Sequence, residues 1–78
     1  MIKYKKQAEK FLLSQDKAKA LHIYNEIEKL PLGDVKRLQG SGKPPLFRLR
    51  IGKVRAIFCY EDDYVVVLKI DYRGDAYK

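Results

Sequence analysis

Residues 46–58 read LFRLRIGKVRAIF, and the alternation in this stretch decides how the rest of the chain is read. Phe47, Leu49 and Ile51 share one side of an extended strand while Arg48 and Arg50 share the other, the period-two pattern of a strand half-buried against a core. Gly52-Lys53 supplies a two-residue turn. The strand therefore folds back with Ile51 opposite Val54, Arg50 opposite Arg55, Leu49 opposite Ala56, Arg48 opposite Ile57 and Phe47 opposite Phe58. Two arginines then stand face to face. Like charges opposed across a strand pair cost up to about 1 kcal/mol, and an anion bound between them is the simplest reason for a chain to keep them.

Outward from this hairpin, the 78 residues allow one domain, 1–78, with a thin core. A chain this short buries only about 60% of its unfolded surface. The formal charge of +7, from 17 basic and 10 acidic residues, favours anionic partners such as nucleic acid, ribosome or acidic protein segments. All five arginines (Arg37, Arg48, Arg50, Arg55 and Arg73) follow position 36, whereas residues 1–36 carry lysines and no arginine. Arginine presents a planar fork of donors that matches phosphate; lysine is a point charge that often only solubilises a helix. Cys59 is the only cysteine, which excludes an intramolecular disulfide and a cysteine zinc site and points to a reducing compartment. No apolar run suits a signal peptide or a membrane span, so the expected localisation is cytoplasmic, with no membrane partner.

Residues 2 to 4 suit a brief strand, and Ala8, Phe11 and Leu12 recur at helical spacing. Asp16 can cap a second helix, whose apolar stripe is Ala20, Ile23, Tyr24, Ile27 and Leu30 and which Pro31 and Gly33 end. Neither stripe is a core by itself, so the two helices are expected as an antiparallel pair covering a sheet. A short strand around Val35 to Leu38, a glycine and proline loop at 40 to 45, the hairpin, and the strand YVVVLKIDY complete the chain. For the last turn a three-residue loop, Glu61-Asp62-Asp63, pairs Phe58 with Val66, Ala56 with Leu68 and Val54 with Ile70. It also places Lys69 opposite Arg55. A two-residue loop would bury Lys69 and is set aside on that ground. The expected fold is α+β, an N-terminal helical hairpin packed on a twisted antiparallel β-sheet. Its outer face carries Arg48, Arg50, Arg55 and Lys69 at one end. Ile57, Cys59, Val65 and Val67 occupy the other end, to be covered by a partner or by the chain's own loop.

Three stretches, KQAEKFL, VKRLQGS with LFRLRIGKVRAIF, and VVVLKIDYRGDAYK, together resemble the RelE/ParE superfamily of bacterial and archaeal toxins, specifically its RelE-like branch. The resemblance spans nearly the whole chain. It implies the toxin of a type II toxin-antitoxin system, a ribosome-dependent endoribonuclease that cuts mRNA in the A site without metal or other cofactor. It also implies a cognate antitoxin that wraps the toxin. Arg48 and Arg50 match strand positions where such nucleases carry basic residues, commonly lysines; Arg55 matches a recurrent arginine, and Arg73 and Tyr77 match the C-terminal motif. Arginine keeps the charge but stays protonated, so lysine-type proton transfer is lost. Two alternatives stay open: a ParE-like inhibitor of DNA gyrase, whose branch generally lacks the complete basic set, and a noncatalytic antitoxin-binding relative.

In metal-free RNA cleavage the 2′-hydroxyl attacks the adjacent phosphorus, and charge builds on the phosphoryl oxygens. Preorganised guanidinium groups stabilise that charge by a few kcal/mol per well-placed donor, about the contribution assigned to Arg48, Arg50, Arg55 and Arg73. Tyr77 is the proton-transfer candidate, because surrounding cations lower a phenol's pKa from about 10; alternatively an aromatic ring stacks on a splayed base. Other features read as structural. His22 lies off the apolar stripe, Cys59 is a small apolar filler, Glu61-Asp62-Asp63 is a turn and not a metal cluster, and the lysines at 3, 5, 6, 10, 17 and 19 are a solvated surface. GSGK at 40–43 lacks the spacing of a phosphate-binding loop.

Overall fold

The structure, a computed structural model, describes residues 1–38, 40 and 43–72. Arg73 and Tyr77 lie outside the described residues, as does part of the loop expected at 40 to 45. The elements run β1 (Ile2–Tyr4), α1 (Lys6–Ser14), α2 (Lys17–Glu28), β2 (Asp34–Arg37), β3 (Phe47–Ile51), β4 (Val54–Glu61) and β5 (Tyr64–Tyr72). The Asp16 carboxylate accepts a hydrogen bond of 2.8 Å from the Lys19 N–H, which is the expected cap of α2. Gly33, with φ +114°, leads from the helices into β2. An added Cβ there would meet Leu49 Cδ1 at 3.0 Å, so both the backbone angle and the space call for glycine.

The strand order is β1-β5-β4-β3-β2, with β1 parallel to β5 and every other pair antiparallel. The sheet is thus mixed where a wholly antiparallel one was expected. The cause lies in the connections: α1 and α2 carry the chain from the β1 edge to the β2 edge, and three antiparallel reversals return it to β1 running the same way. The α+β layout of two helices on a sheet stands. Ala8, Phe11, Ile23 and Ile27 from the helices pack on Leu49, Ile51, Val54, Ala56, Phe58, Val67 and Ile70 from the sheet. Tyr24, assigned to the stripe, is exposed and stacks on Tyr4 with ring centroids 6.1 Å apart.

The β3–β4 hairpin has the register that alternation and the Gly52-Lys53 turn dictate, from Ile51 opposite Val54 to Phe47 opposite Phe58. Gly52 takes φ +59° at the first turn position. The β4–β5 hairpin differs from expectation. It turns on two residues, Asp62 (φ 55°) and Asp63, and pairs Glu61 with Tyr64, Cys59 with Val66 and Phe58 with Val67. The register then shifts, so that Ile57 pairs with Lys69, Ala56 with Ile70 and Arg55 with Asp71. Leu68 is the extra residue of a bulge. The bulge removes the objection to a two-residue loop, because it restores Lys69 to the outer side. Val65 and Val67 consequently face the helices, correcting their outward assignment, and Val66 joins Ile57 and Cys59 on the outer face. Those three are 3–5% exposed, so the folded chain itself closes off the apolar end.

Where β1 ends, Gln7 of α1 takes over its role at the sheet edge. Its Nε2 donates to the Ile70 carbonyl (3.0 Å) and its Oε1 accepts from the Ile70 N–H (2.9 Å). The side-chain amide thus does what a paired strand residue would do for backbone groups that burial would otherwise leave costly.

Candidate functional site

Cross-strand register builds the outer face in rows. One row reads Asp34, Arg50, Arg55, Asp71, and the next reads Lys36, Arg48, Ile57, Lys69. Arg48, Arg50 and Arg55 thus lie together on two adjacent strands. Their surroundings differ: Arg50 is exposed, Arg48 is half-buried with Nη1 3.8 Å from Asp34 Oδ1, and Arg55 is only 8% exposed in the floor of the face. A guanidinium that is wet at its tip can meet a ligand, whereas a buried one shapes the field beneath it.

Asp71, not Lys69, stands opposite Arg55, and this corrects the expected pairing. Its consequence is electrostatic. The two like charges are flanked by a carboxylate at each end, so their mutual repulsion is offset within the row and no bound anion is needed to explain their survival. The next row carries three cations, Lys36, Arg48 and Lys69, and no carboxylate of its own. Anion attraction therefore centres between the rows, where the exposed Arg50 borders that second set.

The remaining candidates separate cleanly. His22 is exposed on α2, in the helical layer on the other side of the sheet. Burial, reinforced by Glu61 and opposed by Lys5, pushes the Cys59 thiol above its ordinary pKa, so it stays protonated and a weak nucleophile. Burial and the Glu28 carboxylate, whose Oε2 accepts from the Tyr4 hydroxyl at 3.3 Å, likewise push the Tyr4 phenol up. Glu61, Asp62 and Asp63 form and border the turn, and among the described residues no group of side chains is arranged to hold a metal. Lys3 is exposed, in keeping with the solvated-surface reading, and its Nζ also sits 4.1 Å from the centroid of the Tyr64 ring. Sequence reasoning passed over Asp34, Lys36 and Asp71. The alternation in DVKR carried the signal for the first two, whereas Asp71 depends on the bulge.

No protein-family model and no curated protein matches the chain. Among solved structures, a chain of the archaeal RelE-RelB complex from Pyrococcus horikoshii OT3 matches 96% of this chain over 96% of its own length. Its TM-score is 0.68, with 33% identity. The chain belongs to the RelE-like toxin superfamily. The RelE-like fold recurs in the RelB-RelE antitoxin-toxin complex from Methanococcus jannaschii, at TM-score 0.73 and 20% identity over 96% of this chain and 94% of that one. It recurs also in a conserved hypothetical protein from Helicobacter pylori, at 0.63 and 22% over 94% and 93%. In this RelE-like chain the basic outer face is the site to explain, with Arg48, Arg50 and Arg55 present on it and Arg73 and Tyr77 outside the described residues.

Proposed function

We propose that this chain is a ribosome-dependent endoribonuclease toxin that cuts mRNA in the A site and is restrained by a cognate antitoxin. The observation that carries this reading is the clustering of Arg48 and Arg50 beside Lys36 and Lys69, above the buried Arg55, on a single sheet face of a RelE-like fold. The RNA 2′-oxygen attacks the adjacent phosphorus, its proton leaves to a base, and the bond from phosphorus to the 5′-oxygen breaks as that oxygen takes up a proton. The products are a cyclic phosphate and a 5′-hydroxyl. Arginine holds its proton throughout and so contributes charge stabilisation and anchoring. The family motif assigns Arg73 to the same work and proton transfer to Tyr77. The cytoplasm is the compartment where such a substrate is met.

The antitoxin contact was expected at Ile57, Val65 and Val67 together with the helical hairpin, and its sheet half fails on geometry, since two of those residues face the helices and the third is buried. The exposed apolar side chains Leu13 and Leu21 on the helical layer are a better surface for it. The test is induction of the chain in growing cells with primer extension on translated messages. Arg50→Ala removes an exposed donor without touching the core, so cleavage should fall by about 10²–10³ while the protein stays folded. Wild-type chain that halts supercoiling by gyrase and leaves messages intact would overturn the reading.

A further inference from the structure

The outer face does not end at the arginines. At the β1–β5 edge Lys3 stands opposite Val66 and Val66 opposite Cys59, which puts Lys3 on the same side as Arg48, Arg50 and Arg55. Glu61 and Tyr64 flank the last turn on that side too. With Tyr4, Lys5 and Val66 these residues line a cavity of about 190 Å³, which the Lys3 ammonium shares with the Tyr64 ring. Among the described residues no ion pair joins Glu61 to Lys3 or Lys5, so its carboxylate retains acceptor capacity for a ligand.

Each lining group selects a chemistry. A tyrosine ring is a stacking platform for a nucleobase, and lysines are point charges for phosphate. A carboxylate repels phosphate but accepts hydrogen bonds from amino and imino groups, which only certain base edges offer. Guanine carries N1–H and N2–H₂ side by side, matching the two oxygens of one carboxylate, whereas uracil sets a single N–H between two carbonyls. The cavity is smaller than the roughly 300–1,000 Å³ of drug-sized sites, a size that suits one base.

We propose that this cavity is a guanine subsite for the same RNA strand whose phosphate lies on the arginines. Tyr64 stacks on the base, Glu61 accepts from its Watson–Crick edge, and Lys3 and Lys5 hold the adjoining phosphate. The Lys3 ammonium covers the ring in the free protein through an interaction that is weak at exposed sites, and it moves to the phosphate when a base takes its place. Two strands and four residues separate Arg55 from the Lys3 row, about 16 Å at standard strand spacing and rise, which is the reach of a few nucleotides. An acidic peptide meets the lysines but brings neither a base to stack on Tyr64 nor paired N–H donors for Glu61, whereas a guanine nucleotide brings both. The inference rests on the RNA reading of the arginine face.

The experiment is fluorescence anisotropy of the full chain with labelled 2′-O-methyl hexauridine, which lacks the attacking hydroxyl, against the same oligomer with one guanosine scanned through it. A guanosine at one position should tighten binding about tenfold, in line with the worth of a stacked and hydrogen-bonded base. Glu61→Gln should abolish that preference, and Tyr64→Leu should weaken the guanosine oligomer most. Arg50→Ala should weaken both oligomers and leave their ratio intact. If no position prefers guanosine, or Glu61→Gln leaves the preference unchanged, while Arg50→Ala still weakens binding, the subsite is wrong and the arginine face stands. If the wild-type chain binds neither oligomer, the subsite is overturned; if Arg50→Ala changes nothing, the strand does not lie on the arginines and the subsite falls with that placement, while the ribosome-dependent reading is decided by primer extension. Hexaglutamate binding as tightly as RNA through Lys3 and Tyr64 would make the cavity a protein-docking surface and overturn the proposal.

Discussion

The two hairpins that share β4 each turn on two residues, yet one keeps an unbroken ladder and the other absorbs an extra residue at Leu68. In the first, Gly52 takes the positive φ that the turn demands and every pair follows from alternation. In the second, Asp62 adopts φ 55°, a strained angle for most side chains, and the register slips between Ile57 and Phe58. A one-residue slip moves every later side chain to the other face, so the bulge decides which charges meet. It sets Asp71 against Arg55 and keeps Lys69 outward. The same basic face thus has one side laid down by local pattern and the other by a defect in the ladder.

The largest expected effect tests the inward side of that slip. Val67→Asp places a carboxylate in the core at a fully buried position and should cost about 3–5 kcal/mol, enough to unfold a marginal domain; Leu68→Asp, at the half-buried bulge, should cost less than half as much. Urea midpoints that rank the two the other way would mean that the register is that of a three-residue loop. Deleting Leu68 should be milder, about 1–2 kcal/mol, because the pairs on both sides of the bulge survive in a regular ladder. Complete loss of folding would show instead that the bend itself is indispensable.

Asp71→Asn should cost up to about 1 kcal/mol through the loss of an opposite charge across from Arg55, while the asparagine oxygen can still accept from the Tyr72 N–H as Asp71 Oδ1 does at 2.9 Å. A more stable variant would show that the carboxylate does not offset the arginine row. The turns themselves close the series. Gly52→Ala should cost about 1 kcal/mol, whereas Asp62→Gly should stabilise by no more than about 0.5 kcal/mol, read as a small rise in the thermal midpoint, strain relief being partly cancelled by the freer unfolded chain. Equal and opposite effects would indicate that both turns are strained alike.

Legibility in the sequence followed the range of the interaction. The cap at Asp16, the turn at Gly52, the span Tyr64–Tyr72 and the alternation of Arg48 and Arg50 depend on residues near one another in the chain, and all are legible in it. Gln7 closing on Ile70, 63 residues away, carries no local signature, because a glutamine near a helix start is ordinary until the strand edge it completes is known. The basic cluster was legible as charge, but its flanking aspartates were not. Their positions follow from pairing with β2 and from the bulge.

By itself the sequence determined the elements, the first hairpin's register and the cationic character of one strand face, since turn chemistry and period-two alternation act over a few residues. Only the tertiary structure decided that β1 runs parallel to β5, that Val67 faces inward, and that aspartates bracket Arg50 and Arg55. Those choices depend on which arrangement buries the most apolar surface without stranding a charge. The choice between a three-residue loop and a two-residue loop with a bulge is of that kind, and it is settled over the whole sheet at once.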